Sequence, residues 1–484
     1  MNNHKLFGQN LGQYIQMFFN WLTLYIQTLV LVLLLPPGLA AAEHAPGKPT
    51  SYIWHESVVV DPVFHGKTFI MAGGKSGGPA MVLIHGVGDE AARIWVPFLQ
   101  EYGAEYHLLT FDLPGFGHSD KQNLLYSPAA YSAFVEWVVN EYAQGGPVVV
   151  LGHSMGGALA LQFAASYPDL VDRLILVDAA GVLHRAAFSK NFFQLEPPKS
   201  WPGILAWPLK KPFDMINQLT GSTVEKAERQ QTDQDIDSIL NNRLMRKIFL
   251  GGNPETIASL AAIHQDFSPL LGKVRAPTYI IWGADDEVAP LRTGKALAAR
   301  LSGSRLEIIE GAGHTPMLEQ QRSFHLALRQ ALAFAPVVEP EEPPAPAHST
   351  GKCTNRSGMI FSGSYKRIEI KGCTDVLLQD VSAEHVHIEG SRVVMENSRI
   401  NGRDIGLYAD HSIIVATGLT VEADIAVQTS GSRLDLAAVD LQGDKAAIIA
   451  KTPSFLLFSV SRLSSPVFTG DMHGIRQLTA EESM

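Results

Sequence analysis

Apolar residues in the first two-thirds of the chain gather into short unbroken runs: Met81–Ile84, Leu108–Phe111, Val148–Leu151, Leu174–Val177 and Thr278–Trp282. Each run stops at a glycine or a polar turn, which is the pattern of strands buried on both faces. Tyr131–Tyr142 and the Ala/Leu-rich stretch after Ser154 carry helical spacing instead. Strands alternating with helices predict a mostly parallel, doubly covered sheet. Ser57–Val60 and Lys67–Met71 predict a hairpin at its edge, and Arg305–Ile309 a final strand.

The alternation breaks at residues 182–267. Tryptophans and prolines cluster at Trp201–Pro202, Trp207–Pro208 and Pro212, and helix starts follow: Ser222–Glu225 reads as a capping box, and Asn253–Pro254 as a cap with proline at the first helical position. An inserted helical cap is expected, either a cover over a pocket or packing on the sheet edge. Residues 336–351, rich in proline and glutamate, predict an extended, solvated linker ending the first domain, assigned to residues 50–335.

Residues 352–484 change period. Strand-like segments start at Ile368, Val386, Ile405, Ile425 and Ala446, with a second set at Val376, Val393, Ile413, Leu434 and Phe455. Short β runs recurring about every 20 residues predict stacked solenoid coils, with a small β-sandwich as the competing reading. Cys353 and Cys373 are separated by about one repeat, so adjacent coils would bring them within disulfide range; a pair of buried thiols is the alternative.

At the other end, Lys5 is the one Lys, Arg, Asp or Glu before Glu43, Leu22–Leu35 is apolar, and Ala40–Ala42 offers a small-residue cleavage site. Residues 1–42 read as a cleaved signal peptide or an uncleaved N-terminal anchor. Either places the body outside the cytoplasm: periplasmic, secreted, or membrane-anchored and facing out. The net charge of -10 argues against nucleic acid as a partner.

The chemistry centres on Gly152-His153-Ser154-Met155-Gly156, where a strand ends and a helix begins. A serine at such an elbow projects its hydroxyl from the sheet edge, with the two glycines allowing strand and helix to approach. Gly74-Lys75-Ser76-Gly77-Gly78 matches the same pattern but precedes a strand, so it reads as a plain turn. A serine needs a base and an orienting carboxylate to become nucleophilic. His314, following Gly311-Ala312-Gly313 after the last strand, is the base; Asp286 is the acid, with Asp285 and Asp178 as rivals.

With His85-Gly86, the Asp112–Ser119 loop, Gly152–Gly157, Gly283–Pro290 and Gly313-His314, residues 54–334 resemble the α/β-hydrolase superfamily of serine esterases and lipases. The chain order Ser154, Asp286, His314 is the order that fold uses. The resemblance implies an oxyanion hole from the Val87 and Met155 backbone N–H groups, and structural roles for His153 and His118. The C-terminal repeats are similar to the right-handed parallel β-helix of pectate-lyase-like proteins, without a recognisable lyase motif. The expected architecture is therefore an α/β-hydrolase domain with a helical cap, followed by an all-β solenoid.

No metal-ligand cluster is legible, and the chemistry calls for no cofactor. The expected activity is ester hydrolysis through an acyl-enzyme, on a small-molecule or lipid ester. A serine-dependent C–C bond hydrolase is one alternative. Another is an envelope protein whose solenoid binds a membrane surface or polysaccharide while its hydrolase domain is vestigial.

Overall fold

A computed structural model describes residues 52–88, 90–184, 231–336 and 349–484. The N-terminal segment 1–42, the Trp/Pro cluster at 201–212, the Ser222–Glu225 capping box and most of the linker lie outside the described residues.

The α/β domain is built on an eight-stranded sheet in the order β1-β2-β4-β3-β5-β6-β7-β8. Its strands are β1 (His55–Val60), β2 (Lys67–Gly74), β3 (Ala80–Ile84), β4 (His107–Phe111), β5 (Val148–His153), β6 (Val171–Val177), β7 (Thr278–Gly283) and β8 (Arg305–Ile309). The hairpin β1–β2 is antiparallel and pairs antiparallel with β4, whereas the remaining neighbours are parallel. Every residue of β3, β5 and β7 is buried, which is why those runs read as continuous rather than alternating.

Helices cover both faces. Helix α1 (Pro128–Tyr142) starts where the Ser127 side chain accepts from Ala130 N. Helix α2 (Met155–Ser166) is buried along all but its last residue, as its near-absence of polar side chains requires. Within the cap, α3 (Gln231–Asn241), α4 (Arg243–Leu250) and α5 (Pro254–His264) are helical. The Asn253 side chain caps α5 through Thr256 N, with Pro254 at the first turn, as the sequence indicated. Helix α6 (Leu291–Arg300) follows β7, and α7 (Gln321–Ala333) closes the domain.

Residues 349–484 form a solenoid of stacked parallel strands, β9 (Thr350–Thr354) to β19 (Ser454–Ser464). It has three strand ladders, one more than the sequence pattern disclosed. Buried residues stack in register along each: Ile368, Val386, Leu407, Val427 and Ile448 on the first; Val376, Val393, Ile414, Leu434 and Leu456 on the second. The third stacks Ala383, Ile400, Val421, Leu441 and Leu463. Its representative β13 (Arg399–Asn401) has three residues, too few to leave a sequence signature. Antiparallel β20 (Thr469–Leu478) and β21 (Glu482–Ser483) finish the stack.

One corner carries a column of serines. Ser391, Ser412, Ser432 and Ser454 each accept, through Oγ, from the backbone N–H one coil earlier. Each also donates to a carbonyl two residues back, satisfying buried backbone where the chain bends. Cys373 heads this column and is bonded to Cys353. Cys353 is in register with Ile370, so the bridge runs diagonally, with Cα atoms 6.5 Å apart rather than at the coil spacing the sequence reading assumed.

The solenoid packs on the α/β domain. Ala437, Ala438, Leu457 and Val460 belong to the same buried cluster as α2 and β7. Around it, Arg292 of α6 pairs with Asp435 at 3.0 Å and Lys295 with Glu396 at 2.7 Å.

Candidate functional site

Ser154 sits between β5 and α2 with φ 55° and ψ -124°, a conformation that costs a non-glycine residue energy and holds its hydroxyl at the sheet edge. Helix α2 starts this close because position 156 has no side chain: a Cβ there would lie 2.4 Å from the carbonyl oxygens of Ile84 and His85. Ser76, in the other Gly-x-Ser-x-Gly, lies exposed in the β2–β3 turn.

Three residues distant in sequence meet at this elbow. His314 Nε2 is 2.8 Å from Ser154 Oγ, and its Nδ1 is 2.8 Å from Asp286 Oδ2. The second Asp286 oxygen accepts from Val288 N at 2.7 Å and Ala289 N at 2.9 Å. Burial alone would raise the Asp286 pKa. The adjacent His314, by charge and hydrogen bond, outweighs burial and holds the carboxyl below its usual range. Asp285 is exposed and faces away from this chain of bonds.

The loop carrying His314 is held from two sides. His153 Nε2 donates to the His314 carbonyl at 2.7 Å. Burial, then the nearby His314, push the His153 pKa down to about 3, so the ring is neutral and remains a hydrogen-bond donor. Glu319 accepts from Gly313 N, Thr315 N and Thr315 Oγ1, clamping the loop from outside. The sequence gave no signal for Glu319, because its three partners are contributed by one short turn.

The other wall is the loop after β3. The Gly86 Cα faces Ser154 so closely that an added Cβ would lie 2.7 Å from Ser154 Cβ, and this sets the Val87 amide beside the hydroxyl. Val87 N and Met155 N donate to no backbone carbonyl among the described residues. His85 braces this loop, donating from Nδ1 to Gly86 O and accepting from Leu113 N at Nε2; burial lowers its pKa and keeps it neutral. Asp112 accepts from Ala92 N, His118 N and His118 Nδ1, which fixes the turn and leaves His118 largely exposed, away from Ser154.

Asp178, at the end of β6, is fully buried and also faces this centre. Its Oδ1 accepts from Gly283 N at 2.9 Å. One oxygen each from Asp178 and Asp286 and a ring nitrogen of His314 lie within 4.8 Å of one another, the spacing a cation would need. Both His314 nitrogens are already engaged, toward Ser154 and Asp286, so the arrangement is suited to moving a proton.

The model of the Alpha/beta hydrolase family matches residues 81–324. An uncharacterized protein of Mycobacterium tuberculosis is 32% identical over 254 residues, covering 51% of this chain and 73% of that protein. A 2-hydroxy-6-oxononadienedioate/2-hydroxy-6-oxononatrienedioate hydrolase of Klebsiella pneumoniae is 28% identical over 263 residues, covering 54% of this chain and 88% of that one. Among solved structures, a hydrolase from Pseudomonas aeruginosa is 21% identical with a TM-score of 0.42, covering 58% of this chain and 99% of that one. By its matched residues and its relatives, this chain belongs to the alpha/beta hydrolase family.

Proposed function

We propose that this protein is an exported serine hydrolase that cleaves carboxylic esters through an acyl-enzyme. The observation that carries the reading is the unbroken chain of bonds from Ser154 Oγ through His314 to Asp286. His314 takes the Ser154 proton as Oγ attacks the ester carbonyl, and Asp286 stabilises the imidazolium that results. The tetrahedral oxyanion receives the Val87 and Met155 N–H groups, each worth about 3 kcal/mol in comparable sites. Collapse expels the alcohol with the proton from His314, and a water activated by the same ring releases the acid. Export is supported by the apolar segment at residues 22–35 and by the Cys353–Cys373 bridge, which needs an oxidising compartment to persist.

A second reading, hydrolysis of a C–C bond beside a ketone, is favoured by the Klebsiella relative named for that substrate class. The same serine, base and oxyanion donors would serve it. Turnover of esters of graded acyl length by the purified full chain, beside a 2-hydroxy-6-oxo-dienoate, separates the two. Ester turnover exceeding dienoate turnover supports the first reading, and the reverse order replaces it with the second.

A further inference from the structure

Asp178 and Asp286 bring two carboxyl groups into one dry site. Asp178 is fully buried and the Asp286 side chain has no exposed surface. Like charges this close in a buried site cannot both persist, so the pair carries one negative charge and one proton. The donors decide which carboxyl is ionised. Asp286 accepts from His314 Nδ1, Val288 N and Ala289 N. Asp178 accepts from Gly283 N alone, and its Oδ2 is buried with no hydrogen-bond partner among the described residues. An oxygen without a donor is where a bound proton belongs.

Resting on the serine-hydrolase reading above, we propose that Asp178 is a protonated positioning residue behind Asp286, which becomes the carboxylate serving His314 when Asp286 is neutralised. The spacing permits the exchange, since the Asp178 oxygen lies within 4.8 Å of the His314 nitrogen as well as of Asp286. The ionisable groups facing Asp178 agree with the assignment. Burial, then the Asp286 charge, and more weakly Glu319, push its pKa well above the usual carboxylate range, while the Gly283 N–H opposes them. The backbone is set for the purpose too: Asp178 has φ 43°, a strained conformation at the sheet edge. Nothing is oxidised or reduced in the exchange; the Asp178 proton passes to bulk water as pH rises.

Two measurements on the full chain test this. In the first, kcat/KM for an ester is compared among Asp286→Asn, Asp178→Asn and the double variant. Loss of the sole acid of such a triad costs roughly 10⁴-fold. Asp286→Asn is expected to keep at least about tenfold more activity than the double variant, and its residual activity is expected to climb with pH through a step the double variant lacks. Equal activity in Asp286→Asn and the double variant overturns the proposal. So does an Asp178→Asn loss as large as that of Asp286→Asn.

The second measurement is independent of turnover. The infrared C=O stretch of a protonated carboxyl is expected at neutral pH in the wild-type protein and absent from Asp178→Asn. Its absence from the wild type overturns the proposal even where ester activity is intact. Ser154→Ala separates the two failures: full ester turnover in that variant ends the serine-hydrolase reading, while the infrared band still reports on Asp178.

Discussion

Replacing Gly86 with alanine adds one methyl group at the wall of the site, and its cost follows from the geometry. The new Cβ would lie 2.7 Å from Ser154 Cβ and 3.2 Å from both Ser154 Oγ and the His153 carbonyl. Carbon atoms rest at about 3.5–4.0 Å, so loop and elbow must separate by about 1 Å. Ser154 Cβ is rooted in a strained backbone and cannot swing aside as the tip of a long side chain would. The separation therefore moves the Val87 amide away from the oxyanion. A misplacement of that size costs roughly 100-fold in rate, or about 2.7 kcal/mol, close to the loss of one oxyanion donor. The assay is steady-state ester hydrolysis with a thermal melt alongside; kcat should fall by about two orders of magnitude with KM less affected. Gly272→Ala, where an added Cβ meets nothing within 4 Å, is the control expected to leave both parameters unchanged. Wild-type kcat in a folded Gly86→Ala protein would refute the assignment of that loop to the oxyanion.

Three further outcomes follow from the packing. His153 has a folded pKa of about 3 against 6.5 for the model value, so the unfolded chain binds the extra proton between those pH values. The resulting stability, on the order of 4 kcal/mol, is present above pH 6.5 and is lost as pH falls toward 3; His153→Gln should flatten that dependence in melts across the window. Arg292 pairs with the largely buried Asp435 at 3.0 Å and also donates to Thr417 Oγ1 and Ala416 O, so Arg292→Ala should cost about 3 kcal/mol in denaturant unfolding by leaving that carboxylate unpaired between α6 and the solenoid. Cys353→Ser with Cys373→Ser should cost about 3 kcal/mol and raise hydrogen exchange first in the coil around β9, while intact mass of the unreduced wild type shows no alkylated cysteine.

The α/β domain was legible because its strands are buried on both faces: β3, β5 and β7 are unbroken apolar runs, and each ends where a glycine or turn starts a loop. The Ser154 elbow could be told from the Ser76 turn by what precedes it, a strand in one case and a turn in the other. Asp286 was separable from Asp285 by spacing to Pro290, although one residue decides between a buried carboxylate facing His314 and an exposed one. Less visible were groups whose part depends on a partner far along the chain. Gly86 matters through Ser154, His153 through the His314 carbonyl, and Glu319 through a turn that exists once the loop has closed. The third solenoid ladder was hidden for a different reason: β13 has three residues, and strands such as β16 (Thr420–Ser430) run through a corner into the next ladder, blurring the period. The docking of the solenoid on α6 had no local signal either. Arg292, Lys295, Glu396 and Asp435 read as ordinary surface charges until the two domains are brought together.

The most direct test of the central claim is to look for the covalent intermediate itself. The purified full chain is incubated with an aryl carbamate, whose carbamoyl-enzyme turns over slowly, and examined by intact mass and peptide mapping. The account predicts one carbamoyl group on Ser154, its formation slowed by His314→Ala and abolished by Ser154→Ala, with ester turnover lost in parallel. Ester turnover retained in Ser154→Ala, or a carbamoyl group mapped to any other residue, would contradict it.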